Sequence, residues 1–224
     1  MPPNGFVARP AMSSRSPYRL PFMSSETNAQ ASLPDLGPAA AELTHLLEGV
    51  RDDQLGSPTP CPEYVLRDLL SHIAGLGVAF RDAAHKEFGP STSTAPGSVR
   101  PPEPAADWRT SIPQTLAAMV DAWRDPAAWE GDTQAGGITL PAAIAGRVAL
   151  DELVVHGWDV ARATGQAYRP TPADLEVSYE LLAPSKDDPA ARGEAFGPAV
   201  EVPDGAPMLD RLIGMSGRDP GWGR

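Results

Sequence analysis

The sequence predicts an all-α protein, an up-down four-helix bundle with short C-terminal additions. Two observations carry this. Four long stretches place apolar residues at spacings of three and four, the period of a helix with one buried face. Between them lie loops rich in proline, a residue that helix interiors exclude. The 224 residues suffice for one domain with a substantial core.

Residues 1–34 read as an extension outside the domain, which is assigned to residues 35–224. The first 25 residues hold three arginines and no acidic residue, with several serines and prolines. That composition is like a transit peptide but has no apolar stretch of the kind a secretory signal carries. The stretch is expected to be either a disordered extension or an over-long start, with Met12 and Met23 as candidate true starts. A first helix is expected over 39–50, after Asp35 and Pro38. A second spans 65–88, and a loop rich in Pro, Ser, Thr and Gly follows over 89–104, either disordered or a cover over the site. The third carries Ile112, Leu116, Met119, Val120 and Trp123 as one stripe. The fourth has Thr139 as its expected N-cap, Pro141 in its first turn and Gly165 just past its end. A shorter helix over 173–182 and an extended segment over 199–202 come next. Asp204 is the expected cap of a final helix with Leu209, Leu212 and Ile213, packed on the bundle or paired with another subunit.

Composition narrows the function. A net charge of −11 (18 basic against 29 acidic residues) disfavours nucleic acid and anionic membranes as partners. No apolar run approaches the roughly 18 residues of a membrane span. Cys61 is the only cysteine, so no intrachain disulfide forms, as suits a cytoplasmic protein. Between two prolines it reads as a small packing residue rather than a ligand.

The chemistry concentrates in Asp151-Glu152-Leu153-Val154-Val155-His156-Gly157-Trp158-Asp159. Glu152 and His156, four residues apart, lie one above the other on a helix, in the middle of the apolar face made by Ala145, Val148, Ala149, Leu153 and Val160. A buried carboxylate needs a partner or a metal. Of the four histidines, His45 and His85 fall on polar faces, whereas His72 flanks the apolar stripe of Val65, Leu69, Ile73, Leu76 and Phe80. His72, Glu152 and His156 would be a two-histidine, one-carboxylate set. Three protein ligands and one open position is the pattern of catalytic zinc sites, and it also suits iron or nickel. Asp159, one turn beyond His156, is placed to orient a ligand from behind. The spacing equally allows two core histidines bridged by Glu152 through hydrogen bonds. Trp158, about 240° from Glu152, points away from this face, and for Trp108, Trp123 and Trp129 core packing is expected over the lining of a substrate cavity. No phosphate-binding glycine loop, nucleophile elbow or paired CxxC array is present.

The segment Thr59-Pro60-Cys61-Pro62-Glu63-Tyr64-Val65-Leu66-Arg67-Asp68-Leu69-Leu70-Ser71-His72 resembles the opening block of a group of actinobacterial proteins. These are related to the metal-binding domain of mycothiol-dependent maleylpyruvate isomerase, within the DinB-like bundle superfamily. The stretch from Asp151 to Gly165 resembles the group's second block, and Val202 to Leu212 its C-terminal block. Tyr64 stands where the group usually has tryptophan. The resemblance implies a DinB-like bundle in which His72, Glu152 and His156 hold a divalent metal, zinc first, with mycothiol or a similar thiol as cosubstrate. The isomerase itself carries a second, C-terminal domain, and only about sixty residues follow Gly165 here, so isomerisation is not expected. The expectation is a thiol transferase acting on a small electrophile as a monomer or homodimer, with water activation at the same site a further option. The alternative is a non-catalytic metal- or ligand-binding protein.

Overall fold

The computed structural model describes residues 33–95, 98, 100–188, 192 and 197–223. The expected extension at 1–34 lies almost wholly outside them. Four helices build the bundle: α1 (Gly37–Glu48), α2 (Leu66–His85), α4 (Trp108–Trp123) and α5 (Ala142–Thr164). Each packs against two others, so that the order around the bundle is α1, α4, α2, α5 and back to α1. The core they enclose runs from Leu43, Leu46 and Leu47 of α1 through Leu69 and Ile73 of α2 to Leu116 and Met119 of α4. Ala145, Ala149 and Leu153 of α5 close it. The whole predicted stripe on α4 is buried.

The start of α2 has no side-chain cap. Its first free N–H groups are taken instead by the preceding loop, with Leu66 N donating to Ser57 O (2.9 Å) and Arg67 N to Leu55 O (2.9 Å). The Thr59 hydroxyl lies 2.7 Å from the Tyr64 carbonyl oxygen and 2.9 Å from that of Cys61, which fixes the turn between them. The proline-rich block thus delivers Tyr64 and Cys61 to one end of α2.

Two expected caps are corrected. Thr139 does not begin the fourth helix but belongs to a two-stranded antiparallel hairpin, β1 (Asp132–Ala135) and β2 (Ile138–Pro141). Gly136 and Gly137 turn it with φ of 58° and 79°, the positive-φ pair that tight hairpins require. The hydrogen-bonded hairpin therefore takes the residues ahead of Ala142, and Pro141 sits at the N-cap of α5 rather than in its first turn. Asp204 likewise caps nothing: the last helix, α7 (Met208–Met215), starts after Pro207. The helix α6 (Pro172–Leu182) opens with a reciprocal cap, Asp174 N donating to Thr171 Oγ1 (3.1 Å) and Thr171 N to Asp174 Oδ2 (3.2 Å). It packs on α5 and carries α7 in turn.

The segment expected as a loop over 89–104 contains one helical turn, α3 (Pro90–Ser93), docked on the hairpin through Thr92 Oγ1 to Gln134 Oε1 (2.8 Å). Farther on, Arg100 pairs with Asp68 (3.3 Å) at the start of α2. No helix among the described residues is long and apolar enough to cross a membrane.

Candidate metal centre

His72 from the second turn of α2 meets Glu152 and His156 from the middle of α5, because α2 and α5 are neighbours in the bundle. One ligand atom from each of the three lies within 4.8 Å of the others. His156 Nε2 is 3.0 Å from Glu152 Oε2, and the His72 and His156 rings meet edge to face with centroids 4.9 Å apart. Tetrahedral ligands at zinc bond lengths lie roughly 3.3 Å from one another, so the His156–Glu152 spacing already suits one ion. The donor set, two imidazoles and a carboxylate, fits zinc, iron or nickel.

The electrostatics separate the two histidines. Burial, reinforced by His156, pushes His72 down to about 4, which leaves its ring neutral with a free lone pair at pH 7. Burial alone would lower His156 too, but its hydrogen bonds to the Asp159 and Glu152 carboxylates, and their charges, outweigh it and push this histidine up to about 9. Its Nδ1 lies 2.9 Å from Asp159 Oδ2, which leaves Nε2 facing Glu152. The two carboxylates thus hold a proton on His156 for which a divalent ion would compete. Against a burial that would raise them, both are held below their usual range, Glu152 chiefly by His156 and Asp159 chiefly by Arg218. Glu152 keeps about a quarter of its side chain exposed (24%), whereas Asp159 is fully buried.

Arg218 has no signal in the sequence that ties it to the site. It follows α7, 59 positions from Asp159, and donates from Nε to Oδ1 (2.8 Å) and from a terminal nitrogen to Oδ2 (2.9 Å). No local spacing could reveal it. Tyr64 packs its ring on His72, centroids 5.1 Å apart. Beside it opens a cleft of about 330 Å³ lined by Thr59, Glu63, Tyr64, Asp68 and Arg100 among others. Cys61 stands outside the three-donor group. Burial pushes its thiol up to about 11, so it is protonated at neutral pH, as a packing residue would be. His45 and His85 are both exposed, as expected. Trp108, Trp123, Trp129 and Trp158 are all buried.

Comparison with known proteins gives the family. The family model of the mycothiol maleylpyruvate isomerase N-terminal domain matches residues 36–161, more than half of the chain, and spans all three candidate ligands together with Asp159. The chain belongs to that family. Two uncharacterized proteins from different strains of Mycobacterium tuberculosis are each 29% identical to it over 178 residues, which is 77% of this chain and 90% of theirs. The crystal structure of the mycothiol-dependent maleylpyruvate isomerase superposes with a TM-score of 0.50 at 18% identity, covering 66% of each chain. That of a histidine-to-alanine mutant of the isomerase gives 0.53 at 18% identity, covering 72% of this chain and 71% of the mutant's. At this identity the likeness shows the shared fold. This chain spans about two thirds of the isomerase's length. The family match stops at residue 161, well short of Arg218.

Proposed function

We propose that the protein binds one divalent metal, zinc first, through His72, Glu152 and His156, and uses it to transfer a small thiol such as mycothiol to an electrophilic substrate. The observation that carries this reading is the convergence of three donors from two helices within 4.8 Å, inside the stretch that matches the family. A divalent metal in such a site supplies Lewis acidity that makes a thiolate available at neutral pH. The chain's own residues do the rest. His72 offers a neutral nitrogen, Asp159 accepts from His156 Nδ1 and fixes which nitrogen faces the centre, and Tyr64 covers the outer face of His72. The cleft beside Tyr64 is the side from which a small thiol and its electrophile would approach. The partners are small molecules and the compartment the reducing cytoplasm, with the domain as 35–224 and residues 1–34 as an extension.

A second reading has its own observation. His156 already bridges Glu152 and Asp159 through contacts of 3.0 and 2.9 Å, which would satisfy a structural network without metal. Metal content by mass spectrometry, after purification without a histidine tag, separates the two. Near-stoichiometric zinc, nickel or iron in the wild type, lost in His72→Ala, supports the metal reading, and assays of thiol transfer to electrophiles then test the reaction. Metal-free protein that stays folded and takes up none on reconstitution leaves the structural network.

A further inference from the structure

Among the described residues, the hydrogen bonds that reach the Asp159 carboxylate from outside α5 come from the C-terminal segment. At the end of α7, Gly217 adopts φ 86°. Its N–H donates to Gly214 O (3.0 Å) and the Arg218 N–H to Ile213 O (3.1 Å). This paired pattern closes a helix with a glycine in the left-handed region. Gly217 also packs on Gly197 so closely that a Cβ there would lie 2.9 Å from the Gly197 carbonyl oxygen. The turn therefore has one backbone path, and that path aims Arg218 back at α5.

There the guanidinium engages both carboxylate oxygens of Asp159, whose side chain is fully buried while that of Arg218 is 12% exposed. Fork-to-carboxylate pairing fixes orientation as well as position. The oxygen bound by the terminal nitrogen of Arg218 is Oδ2, the same atom that lies 2.9 Å from His156 Nδ1. Farther along the segment, Trp222 O accepts from Arg162 Nε (3.0 Å), one turn beyond Asp159 on α5. A second strap thus holds the segment in place.

We infer that Arg218 is a positioning residue of the metal centre, acting through Asp159 on the orientation of His156, so that the segment after α7 is part of the site. Resting on the metal reading above, the inference concerns a residue that the family match does not reach. Without the fork, the Asp159 carboxylate is free to turn about its terminal bond, and His156 loses the partner that keeps Nε2 aimed at Glu152.

The test uses the full chain as Arg218→Met, Arg218→Lys, Asp159→Asn and the Arg218→Met/Asp159→Asn double variant. In metal-free protein, proton NMR follows the His156 Nδ1–H, assigned by its absence in His156→Gln. Separately, cobalt(II) is titrated and read by its visible absorption. The expected result is Nδ1–H exchange at least about 10-fold faster in Arg218→Met, with the α5 amides still protected. Cobalt affinity should fall about 10- to 100-fold, the usual effect of losing a hydrogen-bond partner behind a ligand. The double variant should bind no more weakly than Asp159→Asn alone. Arg218→Lys keeps the charge but not the fork, guards against a Met variant that does not fold, and should lie between wild type and Arg218→Met. Unchanged exchange and affinity in Arg218→Lys and Arg218→Met, or fully additive losses in the double variant, would overturn the inference. Wild type that binds no cobalt would sink the metal reading instead, and the Nδ1–H exchange then still decides whether Arg218 positions His156.

Discussion

The two halves of α5 are held by different physics. In the first half Gly146 admits the ring edges of two tryptophans: a Cβ there would lie 2.5 Å from Trp129 and 2.8 Å from Trp123. Those rings pack edge to face at 5.0 Å, and each indole N–H finds a carbonyl, Trp123 to Phe80 O (3.0 Å) and Trp129 to Trp123 O (2.7 Å). Shape is what matters there. In the second half, three acidic side chains and a histidine lie within nine residues: Asp151, Glu152, His156 and Asp159 are buried or nearly so, and Asp159 draws on an arginine from the far end of the chain. Directional pairing is what matters there. The contrast teaches that one helix can rely on shape complementarity in one half and on directional pairing in the other, so that each half fails in its own way.

The sharpest break of the comparison removes a proposed ligand. His72→Ala should bring metal content from near-stoichiometric to background, by mass spectrometry, while the melting temperature of the metal-free protein changes little. Trp123→Ala should do the opposite. It should cost about 3–5 kcal/mol of stability in denaturant unfolding and leave the metal content of the folded fraction unchanged. A Trp123→Ala protein that keeps its stability but loses its metal would erase the distinction between the halves.

Acidity offers a finer cut. A histidine raised to about 9 in the folded state stabilises it fully below the ordinary value near 6.5 and loses that contribution as pH climbs through 9. Asp151 acts with the same sign. Burial and the neighbouring Glu152 push it up to about 8, so that its ionisation opposes folding as pH rises from about 4. Metal-free protein should therefore lose stability between pH 6.5 and 9, by about 1 kcal/mol per pH unit for each proton released. Asp151→Asn should flatten the part of that decline below pH 8 and leave the part due to His156. A flat stability curve in metal-free wild type would contradict the charge arrangement described for the second half. Smallest in effect, Gly146→Ala should cost about 1–3 kcal/mol by overpacking with no change in the pH profile, since no titrating group lines that contact.

Much of the fold was legible because helical spacing is a local property. The stripes on α2, α4 and α5, the end of α5 at Gly165 and the exposure of His45 and His85 follow from spacing and cap chemistry within a few residues. The hairpin ahead of α5 escapes such a reading although Gly136-Gly137 announces it. A threonine followed two residues later by proline reads as a helix entry when only the downstream side is weighed.

For the site, local order determined that Glu152, His156 and Asp159 share one face of α5 and that His72 flanks the buried stripe of α2. These follow from the fixed rotation per residue of a helix. The family-like wording of the first two blocks pointed to the same three donors. Tertiary structure alone decided the rest: that α2 and α5 are neighbours, that Tyr64 lies on His72, and that Arg218 closes on Asp159. Such pairings depend on the path of the loops and on a left-handed turn at Gly217. Periodicity carries no information about which distant charge a buried carboxylate will find.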